Sequence, residues 1–553
     1  MDFTSRVQAG RVYQQGYAEP ATLRAPGMST ETSEGTRMSW LPEVEEINQR
    51  RAIAQQMGGA EAVERKRAQG SLTIRERINA LLDEGTFREL GPIAGSVEYD
   101  DDYRRSGYTP ANSLLGTGRV QGREVVVRGE DMTIRGGSSD GGGRSKAYYS
   151  EHLARSLRLP LVGLHEGAGG SITSNRKRAG GNERGMTGHL LSPYADLLAT
   201  VPVATAALGS CAGIVGARVV YSHFSVMIKE RSFLFAGGPP VVERALGKFI
   251  PKEELGNWRI HAFNGTVDNV ADDEMGCFEQ IRSFLSYLPS NVWELPPRLE
   301  PTDDPDRRDE ILLEVVPRER RRAFNPQKII RSIVDLDSFF EISPYFGRAL
   351  TTGLARVDGY AVGVVSNNPN GNGGAMDSQA SEKLVRFVDL CDTFHLPIVS
   401  FEDEPGFMVG LEAERAATLR KGVRALAAVH QTTVPWIKFI VRRAYGVAAG
   451  AHHTGSGPVY AWPSGEWGSL PIEGGVWAAH RREIEAAADP ELRRLELERE
   501  YEKIRTPFGR AEGFGLHDLI DPRESRPLTV EFVRRSQHVL KTLIGPKARP
   551  MRP

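Results

Sequence analysis

Residues 159–170 read LPLVGLHEGAGG, and residues 396–407 read LPIVSFEDEPGF, with a similar order of apolar, acidic and glycine positions. The two stretches lie 237 positions apart, and the same shift aligns motifs on either side of them. The further matches are Val120-Gln-Gly122 with Val357-Asp-Gly359, Gly136-Gly137 with Gly373-Gly374, Lys146 with Lys383 and, after a loss of four positions, Thr200-Val-Pro202 with Thr433-Val-Pro435 and Gly213 with Gly446. Because the register stays constant, the sequence predicts an internal duplication.

Each copy alternates strand-like and helix-like segments. Valine-rich runs at 124–128 and 361–365 are typical of buried strands. The segments 145–157 and 381–394 have apolar residues near the 3.6-residue period of a helix. Strands that alternate with helices predict an α/β fold with parallel layers in each copy. A shared strand-turn-helix pattern without duplication is the plainer alternative.

Composition divides the chain into three parts. Residues 1–40 are polar and lack a clear period, so we expect a flexible N-terminal extension. The segment 295–325 is rich in proline and charge, as linkers are. These features predict a first domain at residues 41–300 and a second at residues 301–545. A charged run at 481–505 has the composition of one solvated amphipathic helix.

The overall composition excludes several classes of protein. The chain has 553 residues, and its 70 Lys and Arg against 71 Asp and Glu give a net charge of −1, which disfavours a nucleic-acid partner. The three cysteines, Cys211, Cys277 and Cys391, form no CxxC pair, which favours a reducing compartment. No apolar run is long enough to span a membrane, and the N-terminus lacks a secretory signal. We therefore expect a cytoplasmic protein without a membrane partner.

Glycine-rich turns are the candidate sites for chemistry. His165–Gly170 and Gly209–Gly213 each follow an apolar strand, and the backbone N–H groups of such turns suit an anion or a developing oxyanion. A purely structural turn is the alternative for each. No GxxxxGK[ST], HExxH or GxSxG motif occurs. His452 and His453 would face opposite ways in a strand, so we expect no metal. The pattern predicts oxyanion stabilisation by backbone amides.

The chain resembles the carboxyltransferase (β) subunits of biotin-dependent acyl-CoA carboxylases over about residues 60–540. Motifs that match the family in the right order are GSLTIRERI at 70–78, LDEGTF at 82–87, DMTIRGG at 131–137, PLVGLHEGAGG at 160–170, CAG at 211–213, EELG at 253–256 with His261, PGF at 405–407, RAYG at 443–446 and AWP at 461–463. The resemblance implies two tandem crotonase-like (ClpP/crotonase) domains. It also implies transfer of CO2 from carboxybiotin to the α or vinylogous carbon of an acyl-CoA through an enolate.

The resemblance also implies site residues. The N-terminal domain would bind acyl-CoA, with the Gly169 and Gly170 N–H groups serving the thioester carbonyl. The C-terminal domain would bind biotin, with the Val447 and Ala448 N–H groups serving its ureido carbonyl. Lys146 and Arg135 are candidates for the CoA phosphates, and ordinary surface charge is nearly as good an explanation for both. The substrate-binding turns would be completed by Gly136, Gly137, Gly213, Gly446 and Gly450.

Departures from the family motifs bear on the substrate. The arginine of the family's SGGAR is Ser171 here, an acidic position is Pro240, and the acidic residue that shapes the acyl pocket in acetyl- and propionyl-CoA enzymes is Gly450. Loss of that side chain leaves room for a longer acyl group. We therefore expect a substrate other than plain acetyl-CoA. Two stretches, at 267–271 and 406–410, look closer to the methylcrotonyl-CoA branch.

The resemblance implies partners for this chain. No Ala-Met-Lys-Met biotinylation site and no ATP-binding loop occurs, so biotin and ATP-driven carboxylation belong to a biotin carboxylase/biotin carboxyl carrier subunit. Family members form hexamers, as trimers of dimers, with sites formed across the dimer. A eukaryotic protein of this kind would lie in the mitochondrial matrix.

Three other functions stay open from the sequence. One is the carboxyltransferase subunit of a membrane decarboxylase. A second is a non-catalytic scaffold, favoured by the departures at Ser171, Pro240, Val447 and Gly450. A hydratase of the crotonase type, with Glu166 as its base, is the third.

Overall fold

The computed structural model describes residues 39–102, 105–138, 141–170, 192–301, 303–504 and 507–553. The chain separates into a short N-terminal unit that ends at Asn48 and a large unit, Gln49–Pro553, that holds both sheets. Nearly all of the extension predicted for residues 1–40 lies outside the described residues, as does Ser171. None of the described helices is long and apolar enough to cross a membrane.

The first half of the chain builds one eight-stranded sheet and a separate hairpin. Its strands are β1 (Arg88–Glu89), β2 (Gly95–Tyr99), β3 (Arg105–Pro110), β4 (Ser113–Val120), β5 (Arg123–Glu130), β6 (Leu161–Gly167), β7 (Val203–Ala212), β8 (Phe224–Ile228), β9 (Phe233–Phe235) and β10 (Asn269–Ala271). The sheet has the order β1-β4-β5-β6-β7-β8-β10 with β9 beside β7, while β2 pairs with β3. Strand β4 is antiparallel to both neighbours, and β5, β6, β7, β8 and β10 run parallel.

The second half repeats this sheet. Its strands are β11 (Phe340–Ile342), β12 (Leu350–Val357), β13 (Tyr360–Asn367), β14 (Ile398–Glu404), β15 (Trp436–Tyr445), β16 (Val459–Ala461), β17 (Glu466–Gly468) and β18 (Asp518–Leu519). The order is β11-β12-β13-β14-β15-β16-β18 with β17 beside β15. Strands β4, β5 and β6 reappear as β12, β13 and β14 at the positions that the shift of 237 predicts. The four-residue loss puts β15 in register with β7, so both sheets follow one plan.

Helices alternate with the strands along the chain. They are α1 (Leu41–Gln55), α2 (Ala60–Ala68), α3 (Ile74–Leu81), α4 (Gly141–Leu157), α5 (Ser192–Leu198), α6 (Ile214–Val220), α7 (Pro239–Leu246), α8 (Lys252–Leu255), α9 (Trp258–His261), α10 (Glu274–Tyr287), α11 (Pro326–Ile333), α12 (Ser378–Thr393), α13 (Leu411–Arg415), α14 (Thr418–Gln431), α15 (Ile472–Ala486), α16 (Pro490–Ile504), α17 (Pro507–Glu512) and α18 (Ser525–Leu540). The helices predicted around 145–157 and 381–394 are α4 and α12. Helix α12 begins at Ser378 because the Asp377 carboxylate accepts the Ala380 N–H at 2.7 Å.

The charged run at 481–505 differs from its prediction as one helix. It contains the end of α15 and the whole of α16, which are separate helices. Pro490 stands at the first position of α16, where its missing N–H has no helical partner to lose. The Asp489 carboxylate accepts the N–H groups of Glu491 at 3.1 Å and Leu492 at 3.0 Å. Proline and this cap end one helix and start the next.

Among the described residues, the largest apolar core contains side chains from both halves. Val127 and Phe284 contribute from the first half, and Leu384 and Trp436 from the second. All four side chains are buried, and burial of apolar surface is the main favourable contribution to folding. The domain boundaries at 41–300 and 301–545 stay a prediction.

Candidate active site

The turn after β6 lies against the turn after β7. Gly169 has φ +77°, and a Cβ there would lie 2.5 Å from the carbonyl oxygen of Ala212. Its neighbour in space, Gly213, also has a positive φ and donates its own N–H to the Phe235 carbonyl at 3.1 Å. Only glycine fits position 169 because both the backbone conformation and the close contact exclude a side chain. The parallel strands therefore bring these two turns together at one edge of the sheet.

A third turn, Arg135–Ser138, completes this edge. Gly136 accepts the N–H of Ala168 through its carbonyl at 3.2 Å, and Ser138 pairs with Gly169 in an isolated parallel bridge. A Cβ on Gly137, which has φ +63°, would lie 2.8 Å from the carbonyl oxygen of Glu166. The structure therefore brings Gly136, Gly137, Gly169 and Gly213 together. Gly170 follows them and is exposed to solvent.

Buried ion pairs hold the side chain of Glu166, which lies in β6 just before this turn. Glu166 accepts from Lys66 Nζ at 2.5 Å and from Arg77 Nη1 at 2.6 Å. Arg77 also donates to the Glu274 carboxylate at 2.7 Å and to the Leu208 carbonyl at 3.2 Å. Burial alone would lower the Arg77 pKa, but the two carboxylates raise it above its usual range. Burial lowers the pKa of Lys66 despite the neighbouring Glu166.

Sequence reasoning missed these partners of Glu166. Lys66 lies on α2 and Arg77 on α3, about a hundred residues before the strand that they support. One feature of the sequence could have indicated a role for Arg77, namely its position in the RERI motif, which resembles a motif of the family. Nothing in the local pattern indicated that the Lys66 amine is buried.

The two cationic candidates differ in their surroundings. Lys146 is buried on α4, and its Nζ donates to the Ser113 carbonyl at 3.1 Å and lies 3.9 Å from Glu89. Its counterpart Lys383 donates in the same way to three carbonyls, among them that of Leu350 at 2.8 Å. Arg135 is exposed and lies beside the glycine turns. The structure thus gives Lys146 a structural contact and leaves Arg135 at the surface of the turn.

The second half carries a matching pair of turns. Asp403, at the position of Glu166, accepts from Arg442 Nη2 at 2.7 Å and from Arg443 Nε at 2.6 Å. After β15, Gly446 has φ +62° and donates its N–H to the Gly468 carbonyl at 3.0 Å. Val447 is exposed, whereas Ala448 is buried.

A short 3-10 turn, Ala448–His452, begins directly after Val447. The first N–H groups of such a turn have no partner within it, so the Val447 and Ala448 amides suit a carbonyl oxygen of a ligand. The Gly450 N–H donates to the Val447 carbonyl at 3.1 Å, and a Cβ on Gly450 would lie 3.1 Å from Leu426 Cδ2. The structure therefore places Gly446, Val447, Ala448 and Gly450 in one turn.

The paired histidines lie at the end of this 3-10 turn, not in a strand as predicted, and they face different partners. His452 is buried against Ser400 and Glu404, whereas His453 accepts the Gly455 N–H through Nδ1 at 3.0 Å. In the described part of the chain, His, Cys, Asp and Glu form no group of three or more that could hold a metal ion.

Comparison with known proteins identifies the family. A sequence model described as the carboxyl transferase domain matches residues 65–547. The chain is 34% identical over 502 residues to the carboxyltransferase subunit of propionyl-CoA carboxylase from Haloferax mediterranei, covering 90% of this chain and 96% of that protein. It is 31% identical over 491 residues to the methylmalonyl-CoA carboxyltransferase 12S subunit of Propionibacterium freudenreichii subsp. shermanii, covering 87% of this chain and 92% of that protein.

Solved structures agree with the sequence relatives. The transcarboxylase 12S hexamer with methylmalonyl-coenzyme A and methylmalonic acid bound is similar, with a TM-score of 0.80, 28% identity and coverage of 90% of this chain and 96% of that one. A single-chain, multi-domain long-chain acyl-CoA carboxylase is also similar, with a TM-score of 0.77, 29% identity and coverage of 89% of this chain and 50% of that one. The expected crotonase-like α/β fold is confirmed. The chain therefore belongs to the carboxyl transferase family, as a carboxyltransferase subunit of the biotin-dependent acyl-CoA carboxylase type.

Proposed function

We propose that the Gly169 and Gly170 amides bind the thioester carbonyl of an acyl-CoA, and that the Val447 and Ala448 amides bind the ureido carbonyl of carboxybiotin. The lack of room for a side chain at Gly169, where a Cβ would lie 2.5 Å from the Ala212 carbonyl oxygen, is the observation that carries the proposal, because it keeps this turn at the edge of the sheet free of side chains. The first amides of the 448–452 turn support the biotin half.

The backbone amides act on charge that develops during the reaction. Carboxybiotin, when bound, would supply the CO2 that becomes the new carboxyl group, and its ureido nitrogen, left basic by loss of CO2, would take the proton from the acyl-CoA carbon. The Gly169 and Gly170 N–H groups hold the negative charge on the thioester oxygen once the neighbouring carbon has lost its proton. Loss of one such donor typically slows catalysis about 10²–10³-fold. Glu166, with Lys66 and Arg77, keeps the turn in place.

We propose propionyl-CoA or a larger acyl-CoA as the substrate. Position 450 has no side chain, and the nearest group to it is the Leu426 methyl, 3.1 Å from where a Cβ would lie. In the family an acidic side chain at this position goes with acetyl- and propionyl-CoA, so its absence favours a longer acyl chain. The relatives named for propionyl-CoA and methylmalonyl-CoA support an acyl group of at least propionyl size.

For the CoA phosphates we propose Arg135 rather than Lys146. Arg135 is exposed and directly precedes Gly136 and Gly137, which pack against the backbone of Glu166 and Ala168 in the turn at the thioester. The amine of Lys146 already donates to the Ser113 carbonyl, as its counterpart Lys383 does to the Leu350 carbonyl in the other half.

Biotin would be carried by a separate biotin carboxylase/biotin carboxyl carrier subunit. We propose a hexamer built as a trimer of dimers, because the similar transcarboxylase 12S structure is described as a hexamer assembly. We propose domains at 41–300 on the acyl-CoA side and 301–545 on the biotin side. The location would be cytoplasmic, or mitochondrial in a eukaryote, as the pig relative is named.

A labelling assay tests this function. The chain is purified with its biotin-bearing partner and given radiolabelled bicarbonate, ATP and acetyl-, propionyl-, butyryl- or methylcrotonyl-CoA. Acid-stable label on propionyl-CoA or a longer acyl-CoA supports the proposal. Label confined to acetyl-CoA overturns the substrate proposal, and label confined to acetyl- and propionyl-CoA overturns the argument from position 450. No label with any acyl-CoA favours a scaffold.

A further inference from the structure

The two halves differ at one buried position of the turn after the central strand. Gly167 ends β6, where a Cβ would lie 2.7 Å from the Gly137 carbonyl oxygen. The duplication puts Glu404 at this position in β14, and its side chain is fully buried. The second half therefore has a carboxyl group where the first half has no room for any side chain.

The Glu404 carboxyl group forms hydrogen bonds with the turn that directly follows β14. Its Oε1 accepts the Gly406 N–H at 2.9 Å and the Met376 N–H at 3.4 Å. Its Oε2 accepts from Asn367 Nδ2 at 3.0 Å. Gly406 is the counterpart of Gly169, so the turn that we assign to the thioester in the first half is closed here by the protein's own side chain.

Glu404 also contacts that next turn. Its Oε2 lies 3.4 Å from His452 Nε2, and His452 Nδ1 lies 3.3 Å from the Ser400 hydroxyl. His452 is the last residue of the 3-10 turn that starts with Ala448, and its ring is fully buried. A chain of hydrogen bonds thus runs from β14 to the far end of the turn that carries the Val447 and Ala448 amides.

We propose that Glu404 and His452 are positioning residues that hold the Val447 and Ala448 amides in place for biotin. The inference rests on the proposed function of those amides. Neither side chain touches biotin. They act because a 3-10 turn of five residues has few hydrogen bonds of its own, and a buried partner at its last residue limits its movement.

Burial makes this a neutral pair. Glu402 pairs with Lys438 at 2.9 Å, and Asp403 pairs with Arg442 and Arg443, so none of these cations is committed to Glu404. Burial raises the pKa of Glu404 to about 8, although the hydrogen bonds from Gly406, Asn367 and Met376 act in the opposite direction, and the nearby Asp403 adds to the rise. Burial lowers the pKa of His452 to about 4.

At neutral pH the Glu404 carboxyl group therefore keeps its proton and donates a hydrogen bond to neutral His452. His452 Nδ1–H then donates to the Ser400 hydroxyl. Each polar atom of the pair has a partner in this arrangement, which a buried polar network needs in order to be stable.

Kinetics of His452 variants test the proposal. The assay uses the purified chain with a malonyl-type CoA as carboxyl donor and free biotin as acceptor. His452→Ala should raise the KM for biotin about 10- to 100-fold, since small displacements of a positioned group have effects of this size. The KM for the CoA ester should stay unchanged. His452→Gln, whose amide still reaches the Glu404 carboxyl group, should recover part of the loss.

Hydrogen exchange provides a readout that does not depend on activity. Amides of residues 446–452 should exchange faster in His452→Ala, while those of residues 167–170 should not change. Glu130→Gln is the control, because Glu130 belongs to a buried acid–histidine pair in the other half, 3.0 Å from His165. It should leave exchange at 446–452 and the KM for biotin as in the wild type.

Two results would overturn the proposal. One is an equal rise in both KM values in His452→Ala, and the other is unchanged exchange at 446–452. Failure of the proposed function is a separate result, in which the wild-type chain with its biotin-bearing partner carboxylates no acyl-CoA and the chain transfers no carboxyl group to biotin. The exchange experiment still decides the role of His452 in that case.

Discussion

Glu166 and Asp403 occupy the same position in the two halves, and each carboxylate is held by two cations, of which only Arg443 is partly exposed. Glu166 accepts from Lys66 and Arg77, and Asp403 accepts from Arg442 and Arg443. The cations come from α2 and α3 in the first half and from β15 in the second. Both halves therefore keep an acidic residue just before the turn that follows the central strand. The cations that hold this residue come from different elements in the two halves.

The first prediction concerns the stability that these ion pairs provide. Glu166→Gln leaves Lys66 and Arg77 buried without their shared carboxylate, and loss of one member of a buried ion pair typically costs about 3–5 kcal/mol. Urea unfolding should show a loss of this size. Glu61→Gln is the control, because the Glu61 carboxylate is exposed and lies 3.7 Å from Arg65. A similar small loss in both variants would contradict a supporting role for Glu166.

The second prediction concerns the thioester turn. Gly169→Ala places a methyl group 2.5 Å from the Ala212 carbonyl in a left-handed backbone conformation, so the turn must shift. We expect kcat to fall at least about 100-fold, the usual effect of losing an oxyanion donor. Gly509→Ala, on the exposed helix α17 with no described atom within 4 Å of its Cβ, is the control for the added methyl group. Equal activity of the two variants would exclude Gly169 from the site.

The duplication and the glycine turns could be predicted from sequence because both leave local marks. A constant shift reveals the repeat, and positions such as Gly137 and Gly169 admit no side chain. The partners of Glu166 could not be predicted in this way. Lys66 lies 100 residues away, and a lysine on a mostly charged helix gives no sign of burial. The contacts of Glu404 could not be predicted for the same reason. Its buried neighbours become known only when β13, β14 and the 448–452 turn are placed together.

The third prediction separates the roles of Arg135 and Lys146. Arg135→Ala should raise the KM for acyl-CoA. The KM for the matching pantetheine thioester should stay unchanged, because that substrate has none of the phosphate groups of CoA. Lys146→Met should instead lower the urea midpoint, as should Lys383→Met, because each amine donates to a buried carbonyl. A rise in KM for acyl-CoA alone in Lys146→Met would assign the phosphates to Lys146.

The fourth prediction concerns acyl-chain length. Gly450→Ala adds a methyl group 3.1 Å from Leu426 Cδ2, which is a tight but adjustable contact. Gly450→Asp fills the space further. We expect kcat/KM for butyryl-CoA to fall in both variants and to fall more in Gly450→Asp, while that for acetyl-CoA is kept or rises. An equal loss for all acyl-CoA esters would mean that position 450 does not face the acyl chain.

The last prediction follows the titration of Glu404. Its folded pKa of about 8 lies above the ordinary value of 4.5, so between these values the folded state holds a proton that the unfolded state has lost. Stability must therefore fall as pH rises through this window, by at most about 1.4 kcal/mol per pH unit. Glu404→Gln keeps the shape of the side chain and removes this titration.

We therefore expect the urea midpoint of Glu404→Gln to rise relative to that of the wild type as pH increases from 5 to 8. His452 titrates in the opposite sense: its folded pKa of about 4 lies below 6.5, so its contribution is lost as pH falls below 6.5. Measurements at pH 7 and 8 separate the two groups, since His452 is mostly neutral in both states there. A difference between variant and wild type that is the same at every pH would show that Glu404 does not keep its proton in the folded protein.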